Sequence, residues 1–239
     1  VIATAALGLR RRDLAWRHPE AVAAGVAAAA WLGLLLALAG PEELRRLHAA
    51  AHRDAPLLAG AVSWMLMCVA MMVPAALPVA RGHALRALWD RRRRTVALFF
   101  AGQLGVWALF GAAAAVALAV AGGEPRVLLA CVLAVAAAWE LTPAKWRAVR
   151  SCHLSAPLPP HGARADAACV RAGAVYGRRC VASCWPAMLA MAIAGHAAIV
   201  LMVVLTAAIC AEKLLARPAR IAVPVTAVFS GEALIALIA

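Results

Sequence analysis

Apolar residues are gathered into seven runs separated by short polar segments. The runs cover about residues 21–39, 58–80, 95–121, 127–141, 173–194, 196–212 and 221–239. About 20 apolar residues cross one bilayer core as a helix. The pattern therefore predicts an all-α fold, a polytopic transmembrane helix bundle of about seven spans. Residues 1–20 form a basic N-terminal segment, and 21–239 form a single transmembrane helical domain. Between the first two runs, residues 40–57 carry Glu42, Glu43, Arg45, Arg46, His48, His52, Arg53 and Asp54 and read as an amphipathic segment outside the bilayer. Gly122-Gly123-Glu124-Pro125 is a tight turn. Residues 142–172 are the longest polar stretch.

Composition strengthens this picture. Of 239 residues, 66% are hydrophobic and 15% charged, with mean hydropathy +0.85. A soluble domain is roughly half apolar and a quarter charged, so an ordinary cytosolic enzyme, a disulfide scaffold and a disordered tail are all excluded. The formal charge is +13, and only Lys145 and Lys213 among the 24 basic residues are lysine. The basic residues sit in the gaps between apolar runs. With the N-terminus in the cytoplasm, inside segments hold nearly all of them, and outside Arg45, Arg46, Arg53 and Arg126 are offset by Glu42, Glu43, Asp54 and Glu124. That follows the positive-inside rule and predicts a multi-pass protein of a bacterial inner or plasma membrane, with the bilayer as its partner. No basic face is long enough to track phosphates, so nucleic acid is not a partner. Gly102, Gly105 and Gly111 on the third span permit close helix approach.

Candidate chemistry is dominated by sulfur. Cys180, Cys184, Met188 and Met191 are spaced four, four and three apart, so a helix presents them on one face. Thiolate and thioether are soft ligands that suit Cu(I) or, for thiolates, zinc; the same residues also serve as packing in an Ala-rich helix. On the second span Met65, Cys68 and Met72 share one face, Met67 and Met71 another, and Pro74 and Pro78 interrupt the helix. Near the end of the fourth span, Glu140 lies close to the bilayer and is either functional or paired with Lys145 or Arg147. Cys152-His153 follow, and Glu212-Lys213 close the sixth span. In the predicted topology Glu140, Cys152, Cys180, Cys184 and Glu212 all fall on the cytoplasmic side, where thiols stay reduced. His196 in an outer turn, the His48/His52 pair and Glu232 are weaker candidates. Cys131 and Cys210 read as packing and Cys169 as a loop thiol. No catalytic set can be argued from spacing.

Three blocks in order carry a resemblance. Ala70, Met71, Met72, Pro74 and Pro78 form the first; Thr142, Pro143, Lys145 and Cys152 the second; Gly177, Cys180, Cys184, Trp185 and Met188, then Glu212 and Lys213, the third. Over about residues 60–215 the chain resembles an uncharacterised bacterial family of predicted metal-binding integral membrane proteins, a domain of unknown function. Ala148 and Ser183 stand where that pattern has cysteines, and Trp139-Glu140 replace an aromatic–amide pair. The resemblance implies a metal site from Cys180, Cys184 and Cys152, completed by Met72, Met188 or Glu140; the soft sulfur stripe on the cytoplasmic side favours copper over zinc. The expected role is metal handling or transport rather than catalysis. The competing expectation is a non-catalytic assembly subunit of a larger membrane complex. A thiol redox protein is the third, disfavoured because Cys180 and Cys184 lack the Cys-x-x-Cys spacing of redox helices.

Overall fold

The computed structural model describes residues 17–153, 159, 162–194, 199–215 and 222–238. His196 and residues 1–16 lie outside the described residues, as do the side chains of His48 and His52. Nine α-helices and no strand occur among the described residues. They are α1 (Ala21–Ala39), α2 (Glu42–Asp54), α3 (Pro56–Arg86), α4 (Arg92–Ala121), α5 (Pro125–Glu140), α6 (Pro143–Ser151), α7 (Gly162–Ala194), α8 (Ile199–Leu214) and α9 (Ala222–Ile238). A 3₁₀ turn, Trp89–Arg91, leads into α4.

The all-α expectation holds, and residues 42–54 form the amphipathic helix anticipated between the first two runs. Two expectations are corrected. The stretch 142–172 is not a loop throughout: it contains α6 and the first turns of α7, so Cys169 is a helical residue, buried with its Sγ 3.9 Å from Thr95 Oγ1. Nor do seven helices have the length and composition to cross a bilayer. Among the described residues α3 and the Trp89–Ala121 segment do, and a third span arises if α5 and α6, bent by 74°, are taken together. Of α8 and α9, 16 and 17 residues are described, against the roughly 20 of a span. The first half of α7 carries Arg164, Asp166, Arg171, Arg178 and Arg179.

Helices α4 and α7 form the central pair, with α3 against α4, α1 against α3, α5 and α6 against α7, α9 against α5, and α8 against α3. Glycine sets the central contact. A Cβ on Gly102 would sit 2.0 Å from the Val170 carbonyl oxygen, and one on Gly173 would sit 1.9 Å from that of Phe99. The two backbones touch there, as small residues allow. Gly111 serves differently. It leaves room for the Trp64 indole, whose Nε1 donates to the Trp107 carbonyl at 2.9 Å and joins α3 to α4. Gly105 faces open space, so that third expected approach does not occur.

Helix α3 runs through Pro74 and Pro78. Pro74 has no N–H for the carbonyl of Ala70. The Trp31 indole of α1 supplies the missing donor at 2.9 Å, which keeps the interrupted helix satisfied and ties α1 to it. At the far side of α7, Pro186 has a stronger effect. Cys184, two residues before it, is non-helical at φ −136°, ψ 16°. The single face expected for Cys180, Cys184, Met188 and Met191 is thus broken at Cys184, although all four remain buried.

Candidate metal centre

The site is built where α3, α6, α7 and α8 converge. Thr142 and Pro143 place its first charge. Thr142 caps α6, its Oγ1 accepting the Lys145 N–H at 3.2 Å and donating to the Trp139 carbonyl at 2.8 Å. Pro143 occupies the first helical turn, where a missing N–H costs nothing. The sharp entry to α6 points Lys145 back across the bend. Its Nζ donates to Glu140 and, at 2.5 Å, to Glu212 Oε1 of α8. All three side chains are buried, Lys145 to 1% exposure. The ammonium also lies 5.2 Å from the Trp146 ring centre. A lysine donates in three directions and carries no acceptor, which suits a cation shared between two carboxylates.

The next residue along α8 continues the network into sulfur. Lys213 Nζ donates to Cys180 Sγ at 2.8 Å and lies 5.5 Å above the Tyr176 ring. On its other side Cys180 Sγ is 3.6 Å from the thioether sulfur of Met72. The buried Trp107 indole N–H has no hydrogen-bond partner and lies near enough to the same sulfur to act on it. Gln103 Nε2 reaches the Met72 carbonyl at 3.5 Å, while its buried Oε1 has no partner. Cys184 turns its Sγ to the Cys180 carbonyl at 3.0 Å, which also accepts from Ser183 Oγ at 2.7 Å.

The six residues expected at a metal site converge only in part. Cys180 and Met72 are in sulfur–sulfur contact, and Cys184 touches the Cys180 backbone. Cys152 is buried at the end of α6, near Lys213, Arg179 and Cys180; desolvation pushes its thiol up to about 11, outweighing the two nearby cations. Met188 is buried one turn beyond Cys184. Glu140 is engaged by Lys145, the pairing weighed against a ligand role. Among the described residues, no three of His, Cys, Asp and Glu are arranged to hold a metal ion. The thioether of Met72 is the soft donor in direct contact with Cys180. Cys131 is exposed rather than packed.

Sequence spacing missed Lys213, Trp107 and Cys68 as neighbours of Cys180, and Gln103 as a neighbour of Met72; the Cys68 thiol is buried and within electrostatic reach of Cys180. One signal was available. The chain uses lysine twice against 22 arginines, and both lysines are buried here.

A family model matches residues 61–236, spanning every element of this centre. The chain belongs to the PpoB2 family. That family is described as a copper chaperone family, which bears out the expectation of a metal-related group. No curated protein and no solved structure matches the chain. The three sequence blocks all fall inside the PpoB2 match. The structure gives them a shared location: the proline-interrupted α3 brings Met72, the Thr-Pro-x-Lys turn brings Lys145, and α7 with the Glu-Lys end of α8 brings Cys180, Glu212 and Lys213.

Proposed function

We propose that this PpoB2-family chain is a membrane-embedded copper-handling protein that takes Cu(I) as cargo between Cys180 and Met72. Cys184 joins the ion by releasing the Cys180 carbonyl, and Cys152 and Met188 flank it. Glu140 acts through Lys145 instead of through the metal. The observation that carries the proposal is the 3.6 Å contact between the Cys180 and Met72 sulfurs, buried and 108 residues apart in sequence. Two soft donors of different kinds suit Cu(I) over harder ions.

The surrounding charges favour a monovalent ion. Glu140 and Glu212 are balanced by Lys145 and Lys213. A Cys180 thiolate then carries the one remaining charge, which Cu(I) neutralises. With Cys184 joining as a neutral thiol, a divalent ion on the same set would leave an uncompensated buried charge, at a cost of several kcal/mol. Zinc is disfavoured on this ground.

The membrane placement rests on the two long apolar helices and on the large apolar side chains facing outward, among them Leu57, Leu109, Val116, Val120 and Val223. In water such a surface is a liability; in lipid it is the expected exterior. The seven-run topology with a cytoplasmic N-terminus is retained as part of the proposal, with the shorter helices lodged within the bilayer against their neighbours. It puts the Lys145–Lys213 end of the bundle on the cytoplasmic side.

The test is Cu(I) competition with a chromophoric chelator, using the full chain in detergent. Cys180→Ser combined with Met72→Leu is expected to weaken Cu(I) binding roughly 100-fold, about 2.8 kcal/mol, with excess Zn²⁺ failing to compete in the parent protein. Unchanged Cu(I) affinity in a folded double variant overturns the site.

A further inference from the structure

Lys213 of α8 is 3% exposed, and its Nζ donates across 2.8 Å to the fully buried sulfur of Cys180. Among the described residues that sulfur is the one hydrogen-bond acceptor the ammonium has. The buried carboxylates of the centre offer no alternative, because Lys145 engages both Glu140 and Glu212. Leaving for water would strand a charge in the core. The stem is fixed as well, since Leu205, Ile209 and Glu212 are buried on the same helix. Lys213 therefore stays on the sulfur.

A thiolate sulfur has three lone pairs. Where several soft donors meet, a thiolate readily lends them to two Cu(I) ions at once and bridges them. This centre has the donors for such a pair: Met72 touches Cys180, Cys184 touches its backbone, and Cys152 and Met188 are buried beside them. Around Cys180 Sγ, however, the directions are taken. Lys213 Nζ occupies one with a charge-assisted hydrogen bond. The buried Trp107 indole N–H stands close to the same sulfur. What remains is the approach between Cys180 and the Met72 thioether, 3.6 Å apart.

Charge agrees with this. Glu140, Glu212 and a Cys180 thiolate carry three negative charges, against two positive charges on Lys145 and Lys213. One Cu(I) closes that balance. Without the Lys213 ammonium, two Cu(I) ions would be needed to close it. We infer that Lys213 occupies, in place and in charge, the position of a second Cu(I) on the Cys180 thiolate, and so limits the centre to a single ion. The inference rests on the Cu(I) reading of Cys180 and Met72, and it adds the number of ions held. Lys213 acts on specificity through the ligand's sulfur and is not itself a ligand. The ion stays Cu(I), and metal–sulfur bonds are the only ones formed.

The experiment loads the full chain in detergent with excess Cu(I) and strips loosely held metal with a chromophoric chelator. Copper stoichiometry and copper-edge X-ray absorption are then read. The parent protein is expected to hold one equivalent with no copper–copper scattering. Lys213→Met, which keeps the apolar stem, is expected to hold two equivalents and to show copper–copper scattering. Adding Cys180→Ser to that variant is expected to abolish the scattering. Lys213→Arg keeps the charge and the N–H donors and is expected to return to one equivalent. Copper–copper scattering in the parent overturns the inference, leaves Cu(I) binding in place, and needs no variant to fold. A Lys213→Met protein holding one equivalent in a parent-like copper shell also overturns it, as does scattering that survives Cys180→Ser. A Lys213→Arg protein with two equivalents overturns it too. A parent that binds no Cu(I) instead removes the reading of Cys180 and Met72, and this inference with it.

Discussion

Lys145→Met is expected to destabilise the protein by about 3–5 kcal/mol, the typical cost of removing one partner from a buried ion pair. Lys145 Nζ is the cation between Glu140 and Glu212, and all three side chains are nearly inaccessible to solvent. Methionine keeps the apolar stem but strands two carboxylates facing each other. Part of the cost is then repulsion and part is desolvation without compensation. The triple change Glu140→Gln, Glu212→Gln, Lys145→Met removes the charges together and is expected to recover most of the loss, because a neutral set leaves no buried ion. Thermal unfolding of purified full-length variants, followed by tryptophan fluorescence, measures both. Equal melting temperatures for the parent and Lys145→Met would mean that the network contributes nothing to stability. A triple variant no better than the single would mean that shape rather than charge holds α5, α6 and α8 together.

Gly173→Ala carries the second large effect. The new Cβ would lie 1.9 Å from the Phe99 carbonyl oxygen, 2.7 Å from its carbon and 3.0 Å from its Cα. These are backbone atoms, so no rotamer change relieves the clash and α4 must move off α7. Overpacking a core by one methyl costs roughly 1–3 kcal/mol, and separating the central helix pair puts this case at or above the upper end. A melting temperature lower by about 6–12 °C corresponds to about 3 kcal/mol in a chain of this size. Gly105→Ala on α4 is the control. Nothing lies within 4 Å of its Cβ position, and helix propensity there favours alanine by up to about 1 kcal/mol. If the two alanine variants melt together, the close approach of α4 and α7 is not what the bundle depends on.

The metal centre was partly legible one helix at a time. Thr142, Pro143 and Lys145 form a local unit, and the Glu140–Lys145 pair needs only the bend between α5 and α6, so its possibility could be seen from spacing. The sulfur stripe on α7 was visible for the same reason, since side chains four apart share a helix face. Its interruption at Cys184 was not read, although Pro186 signals it, because a proline removes a backbone donor and crowds the preceding turn.

The apolar runs of this chain fixed its helical class, because a backbone without water must satisfy itself within each segment. They did not fix how far each helix extends, because polar neighbours lengthened some of them, as the charged first turns do α7. Nor could spacing bring Met72 to Cys180, Lys213 to the same sulfur, or Glu212 to Lys145. Those contacts join residues 108, 33 and 67 positions apart. They depend on which helices pack together and in what register, and that was decided by backbone contact at Gly102 and Gly173 and by the break at Cys184 that Pro186 allows. Periodicity is a property of one helix, whereas a site assembled from four helices is a property of how they pack.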